Sequence, residues 1–338
     1  MTIALRPFDA TDPDAVADAH RIMAASWAHD APDLPAIDLE TFTRFRRHQR
    51  PGWEAVLMLA ELDGRPVGFL DVGLPMVDNR SIADVTALLV LPEHRRRGVG
   101  GTLFGALRGI AAERGRTTVI HSVAAPLGDQ ENCPASRFAR AMGAAPAQHD
   151  LRSRLDVVAV DHGELTLRLA QAWSHASGYS VVTWQDATPD EFVADVAYLE
   201  GRLLADAPMG DLALEPHRVD ADRIRAMEDR ARLVGRRSYH AGARHDASGK
   251  LVAWTLLTRD RLIDWHAWQQ ITLVDPEHRG HRLGTIIKIE NLRQTVVAEP
   301  GLRFIDTYNA EVNEHMLAVN RLLGYRPVEA SIDWQLIF

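Results

Sequence analysis

Two stretches of this chain have the residue types to hold an anion on the main chain. In the first, Leu88-Leu89-Val90 leads through Pro92–Arg95 (Pro-Glu-His-Arg) into Arg96, Arg97, Gly98, Val99, Gly100, Gly101 and Thr102. In the second, Thr272-Leu273-Val274 leads through the same tetrapeptide, Pro276–Arg279, into Gly280, His281, Arg282, Leu283, Gly284 and Thr285. Each stretch reads as a buried strand, a turn and the start of a helix. The first amides of a helix have no intrahelical acceptor, and the helix dipole adds positive charge there. Glycine lets an anion approach the backbone, and arginine adds forked donors. The chemistry suits a pyrophosphate. A Walker loop would need lysine after its last glycine, and Gly101 is followed by Thr102 and Leu103. A dinucleotide fingerprint would need glycine at 103, which is leucine.

Other chemistry finds less support. Cys133 is the only cysteine, so no disulfide forms within the chain, and no histidine stands at a spacing that pairs with it as a nucleophile. The fifteen histidines include no HExxH and no Cys-His grouping, and no metal site is expected. Acidic loops follow the first helix of each half, with Asp30, Asp33, Asp38 and Glu40 in one and Asp206, Asp211 and Glu215 in the other. Such loops are either solvated surface or a wall that attracts a cation.

The elements that must position the two turns repeat in order. The first half reads strand, helix, helix, three strands to Leu91, a helix over Val99–Arg114, a strand, a helix near Pro134–Met142 and a closing strand near His149–Val157. Leu103, Ala106, Leu107 and Ile110 share one face of the main helix. The second half repeats this order, with a main helix over Leu283–Val297 and a terminal strand over Ile332–Phe338. A repeat of this length is a duplicated domain, and the expected domains are 1–172 and 173–338. The joining segment Asp161–Gly178 is expected to be packed, with a strand for either half as one option. The fold class is α+β: two tandem domains, each a mixed, mostly antiparallel sheet flanked by helices.

Composition sets the bounds. The 338 residues suit two domains that each bury a core. A net charge of −8 argues against nucleic acid as a partner. The basic run Arg44–Arg50 reads as a solvated helix face. No apolar run of about 18 residues implies a membrane span, and the N-terminus lacks a secretion pattern. The expected location is the cytoplasm, and the expected partners are a small-molecule amine and, at most, a second copy forming a homodimer.

Arg95-Arg96-Arg97-Gly98-Val99-Gly100 matches the coenzyme A turn of the GCN5-related N-acetyltransferases (GNAT), Arg/Gln-x-x-Gly-x-Gly/Ala, and the element order resembles that family over nearly the whole chain. The second turn departs from the pattern, with Arg282 where the first glycine belongs. It either still binds coenzyme A or is a worn duplicate. The resemblance implies acetyl-CoA as cofactor and direct transfer to an amine. It implies a phosphate cradle at residues 95–102 and 279–285, and a pantetheine side that includes Asn309 or Asn313. It puts a general base at Asp84, which reads equally well as a strand-start turn residue; the matching position of the second half is Trp268. It implies an acceptor wall at Asp33, Asp206, Asp211 and Glu215. The tyrosine often used as thiolate acid is replaced by Ala139 and Asn320. Three functions fit: an N-acetyltransferase acting on an aminoglycoside in antibiotic resistance, a mycothiol-synthase-like enzyme, or a catalytically silent coenzyme A sensor.

Overall fold

A computed structural model describes residues 2–338. The chain forms two compact units. One gathers the chain through His149 with Gly210–Glu215 and Ala330–Phe338; the other gathers Asp150–Met209 and Pro216–Glu329. These are called the N-terminal and C-terminal units below.

The N-terminal unit begins with β1 (Ile3–Phe8), α1 (Pro13–Asp30) and α2 (Leu39–Arg47). Strands β2 (Trp53–Leu62), β3 (Arg65–Pro75) and β4 (Ile82–Val90) form an antiparallel run. Then come α3 (Val99–Glu113), β5 (Thr118–Ala125) and α4 (Pro134–Ala141). Asp12 caps α1 by accepting from the amides of Asp14 and Ala15, with Pro13 as first helical residue. Ala15, Ala19, Ile22, Phe42, Leu59, Phe69, Leu70, Leu103 and Leu107 form the centre of the core, at 0–1% exposure.

After β6 (Ala145–Asp156) the C-terminal unit adds α5 (His162–Trp173), β7 (Tyr179–Gln185), α6 (Val193–Asp206), α7 (Ala221–Leu233) and β8 (Arg236–His245). Next are β9 (Leu251–Asp260), β10 (His266–Val274), α8 (Leu283–Ala298), β11 (Phe304–Ala310), α9 (Glu314–Leu323) and β12 (Arg326–Ile337). The joining segment is a helix, α5, not a strand. Asp161 caps it, and Leu165, Leu169 and Ala172 put one buried face on the core.

The compact units do not coincide with the ranges 1–172 and 173–338, because the closing strands are exchanged. Residues Ala330–Ile337 of β12 pair with β5, from Ala330 opposite Ala125 to Ile337 opposite Thr118. Residues Asp150–Asp156 of β6 pair with β11. Each unit is thereby a six-stranded, mostly antiparallel sheet, ordered β1-β2-β3-β4-β5-β12 in one and β6-β11-β10-β9-β8-β7 in the other.

Candidate active site

Each unit contains one parallel strand pair, and each pair comes apart at the same place. β4 and β5 pair only over Ile82–Asp84 with Thr118–Ile120, although β4 runs on to Val90 and β5 to Ala125. β10 and β11 pair only over His266–Trp268 with Phe304–Asp306, although they run on to Val274 and Ala310. The cause is a bulge. The β3–β4 register slips between Asp71 and Val72, leaving Thr86 as the extra residue; the β9–β10 register slips likewise and leaves Gln270. A bulge bends and twists its strand, and here it turns the strand away from its parallel neighbour. The first carbonyl beyond each ladder is then satisfied by a side chain. His121 Nδ1 lies 2.6 Å from Val85 O, and Thr307 Oγ1 donates to Gln269 O at 3.2 Å.

The far end of each fork meets a helix start. The amides of Arg96 to Gly101 donate to no acceptor among the described residues; Thr102 is the first to bond back, to Gly98 O at 3.0 Å. The amides of Gly280 to Gly284 are equally unpaired, and Thr285 bonds to Arg282 O at 3.1 Å. The guanidinium groups of Arg96, Arg97 and Arg282 have no ion-pair partner among the described residues. Orphan amides with unpaired cations beside them fit a diphosphate. In both turns two residues take left-handed backbone, in opposite order: Arg96 (φ 62°) then Gly98 (φ 84°), against Gly280 (φ 89°) then Arg282 (φ 55°). The sequence thus places one glycine and one arginine in each pair of strained positions. Gly100 lies under the Phe138 ring, which an added Cβ would meet at 3.4 Å, whereas Gly284 faces Val274 and Thr272 at 3.7 and 3.9 Å.

Two of the expected phosphate ligands have other work. Arg95 donates to Val90 O at 3.1 Å and clamps Asp30 with bonds of 2.8 and 2.6 Å. Arg279 donates to Val274 O at 3.2 Å and to Asp206 at 3.0 Å. Arg95 thus ties the end of β4 to the last residue of α1, and Arg279 ties the end of β10 to the last residue of α6. Asp206, expected in an acceptor wall, is held by Arg202 as well. Asn313 caps α9 by accepting from Met316 N, and Asn309 Oδ1 accepts from Asn320.

The mouths of the two forks differ in chemistry. In the N-terminal unit, Asp84 shares its sheet face with Asp71, Ser122 and Asp333, by the pairings of β3, β4, β5 and β12. Asp71 is buried and its charge is met by the partly buried Arg46 at 3.0 Å. Arg46 also lies over Phe42 at 4.6 Å, so this part of the Arg44–Arg50 run points inward instead of forming a solvated face. Arg50 stands 3.9 Å from Asp84 and over the Trp53 ring at 5.2 Å. Asp333 accepts a hydrogen bond from Ser122. Burial pushes the Asp84 carboxyl up; Arg50 pulls it down and Asp333 pushes it up again. Burial also pushes Asp333 up, against the Ser122 bond and the attraction of His121. Burial lowers His121, against the Val85 carbonyl and Asp333.

The segment Gly210–Glu215 lies on this same side. Gln335, two residues beyond Asp333, accepts from Ala213 N at 2.7 Å and donates to Asp211 O at 3.1 Å. Asn79 holds Glu215 through two main-chain bonds of 2.7 and 3.0 Å. The side chains of Asp211 and Glu215 are exposed, and so is Asp33 in the loop between α1 and α2.

In the C-terminal unit the place of Asp84 is taken by Trp268, which stacks on Tyr308 with ring centroids 5.8 Å apart. Its charged groups are consumed. Asp306 is fully buried among Arg152 (2.6 Å), Arg154 (2.7 Å) and His266 (3.1 Å), and those bonds hold its carboxyl well below the usual range despite burial. Sequence reasoning missed His121, Ser122, Asp333, Arg50 and Trp53, because nothing in their spacing betrays a shared place; only the exchanged strand brings Asp333 there.

Cys133 is buried and caps α4, accepting from Ser136 N at 3.4 Å. A cavity of about 430 Å³ lined by Met76, Arg80, Arg114, Gly115 and Arg116 lies at the opposite end of α3 from the cradle. Among the described residues no set of three His, Cys, Asp or Glu is placed to hold a metal ion, and no helix is long and apolar enough to cross a membrane.

Residues 17–144 match the acetyltransferase (GNAT) family. No curated protein matches the chain. Over 99% of its length the chain is similar to the tandem GNAT protein of the clavulanic acid biosynthesis pathway, at 31% identity, 98% coverage of that chain and a TM-score of 0.83. The fold is also that of a GCN5-related N-acetyltransferase from Sphaerobacter thermophilus (17% identity, 99% and 95% coverage, TM-score 0.66). A further likeness in fold is a putative acetyltransferase from Pyrococcus horikoshii (16% identity, 99% and 89% coverage, TM-score 0.58). Forked sheets, paired amide cradles and likeness along the full length agree: the chain belongs to the GNAT acetyltransferase family, as a tandem member.

Proposed function

We propose that the N-terminal unit transfers acetyl from acetyl-CoA directly to a primary amine of a small cationic acceptor, an aminoglycoside of the kasugamycin kind, as an antibiotic-resistance enzyme of the cytoplasm. The observation that carries this reading is the N-terminal fork: an unpaired amide cradle at one end, and at the other a half-buried carboxylate, Asp84, paired only with Arg50 at 3.9 Å among the described residues.

The amides of Arg96 to Gly101, with Thr102, Arg96 and Arg97, hold the diphosphate of acetyl-CoA. The edge of Leu88, Leu89 and Val90 that β5 leaves unpaired takes the amides of its arm. When bound, acetyl-CoA supplies the acetyl group as a thioester. Asp84 draws in the acceptor's ammonium and takes a proton from it; its raised affinity for protons makes it a stronger base than an ordinary carboxylate. Asp333, Asp211, Glu215 and Asp33 supply negative charge on the acceptor side, and Trp53 supplies a face for a sugar ring or a cation. The acidic loops, length and tandem layout resemble kasugamycin 2'-N-acetyltransferase.

A second reading applies to the C-terminal unit. Its cradle of Gly280 to Thr285, with Thr272, Leu273, Val274, Asn309 and Asn313 beside it, serves coenzyme A binding without transfer. Trp268 in the place of Asp84 favours this. The test is free-thiol release from acetyl-CoA with a panel of aminoglycosides, polyamines and a cysteinyl pseudodisaccharide. Turnover with aminoglycosides is expected. Turnover restricted to the cysteinyl acceptor would replace the substrate with that of a mycothiol-type enzyme. Binding without turnover of any amine would leave a sensor.

A further inference from the structure

We propose that His121 is a second proton carrier in the N-terminal unit: its Nε2 takes the proton shed by the attacking nitrogen and passes it to the departing sulfur. The inference rests on the acetyl-transfer reading above. His121 stands one residue past the last β4–β5 ladder pair, where the strands part. A carbonyl only accepts, so the 2.6 Å contact between Nδ1 and Val85 O places the ring hydrogen on Nδ1. Nε2 then carries a lone pair, and it has no hydrogen-bond partner among the described residues. Burial holds the ring neutral and ready to accept.

The C-terminal unit supplies the control. There Thr307 satisfies the equivalent carbonyl, Gln269 O, with a hydroxyl at 3.2 Å. Capping the first open carbonyl of a fork therefore does not require imidazole. What the imidazole adds is a second nitrogen, in the unit that also carries Asp84.

Two protons must leave a primary ammonium on its way to an amide. Asp84 takes the first and releases it to solvent. The neutral amine then bonds to the carbonyl carbon, and its nitrogen becomes cationic. His121 Nε2 takes this second proton, the C–S bond breaks with its electron pair on sulfur, and the imidazolium returns the proton to that sulfur. The products are an amide, a thiol and one proton in solution. Ala139 has no proton to give, so another donor to sulfur is needed. Strand alternation sets His121 beside Trp334, on the sheet face opposite Asp84 and Ser122; the charged group that acts on the ring is Asp333 of β12, and Arg140 and Cys133 of α4 lie on the Trp334 side. Both α4 residues pack on Trp334, the strand partner of His121. Asp333 steadies the imidazolium as it forms.

The experiment is His121→Thr, which copies the solution of the C-terminal fork. A loss of roughly 10²-fold or more in kcat is expected, with KM for acetyl-CoA and the melting temperature held and the acid limb of the kcat–pH profile changed to that of Asp84 alone. Nitrogen-15 NMR of the ligand-free wild-type protein should report an Nδ1–H ring that protonates only below the usual histidine range. An Nε2–H ring, or a variant with wild-type kcat and pH profile, would reduce His121 to a cap for Val85. If the wild type releases no thiol with any amine, the acetyl-transfer reading fails, while the NMR result still reports the ring's state separately.

Discussion

The two forks of this molecule share a frame and differ in what fills it. Both have a bulge at the same place in the strand, a side chain on the first open carbonyl, and five or more unpaired amides at a helix start. At the mouth, one presents Asp84, Asp333 and an imidazole; the other presents a Trp268–Tyr308 stack over buried ion pairs. The frame is made by backbone and is insensitive to most side chains, so it recurs in both units. The proposed proton chemistry depends on a few side chains, and those stand in one unit only.

The sharpest way to break this comparison is Asp84→Asn set against Trp268→Ala. The first should lower kcat by about 10²- to 10⁴-fold with KM for acetyl-CoA unchanged; the second should leave kcat within about twofold. A collapse with Trp268→Ala instead would reverse the assignment of the two units. Next in size is Lys288, which is buried on α8 over the Tyr325 ring at 5.3 Å, where the N-terminal unit has Phe104. Burial lowers its pKa from 10.5 to about 7. The unfolded chain keeps that proton up to 10.5 and the fold gives it up near 7, so stability should rise with pH across that window, by about 1.4 kcal/mol per unit at most. Lys288→Met should remove this slope and stabilise the C-terminal unit by a few kcal/mol at pH 7, read by urea denaturation.

A smaller effect comes from His240, stacked between Trp184 and Trp254. Its pKa falls to about 3 because burial penalises the charge. The depressed value means that its contribution is intact above 6.5 and is lost as pH falls from there towards 3, again at about 1.4 kcal/mol per unit at most. The tryptophan fluorescence of the C-terminal unit should report unfolding on acidification, and His240→Gln should flatten that response. The smallest change is Arg282→Gly. Relief of a left-handed arginine should add roughly 1 kcal/mol to stability, and Gly98→Arg should cost the N-terminal unit about as much. No change in melting temperature for either would mean that the turn relaxes without strain.

Much of the frame was legible in the sequence. The duplicated tetrapeptide marked both cradles, and helical periodicity placed α3 and α8. What stayed hidden depends on which distant strand closes each sheet. Asp333 reads as one acid in a terminal strand until Ala330–Ile337 are laid against β5. His121 reads as a strand histidine until Val85 O is seen to lack a ladder partner. Arg95 and Arg279 looked like phosphate ligands because spacing cannot tell an arginine aimed at an anion from one tied to Asp30 or Asp206. The inward turn of Arg46 was equally invisible, since its partner Asp71 lies on another strand.

The exchanged last strand has a consequence for biosynthesis. Residues Ala330–Ile337, which close the first sheet, are made only after β6 to β11, so β5 waits with an open edge while those strands are synthesised. The nascent first half is exposed to aggregation for that interval. A gene cut between the repeats would yield a front piece that never gains its final strand and a back piece with no strand of its own to lay on β11.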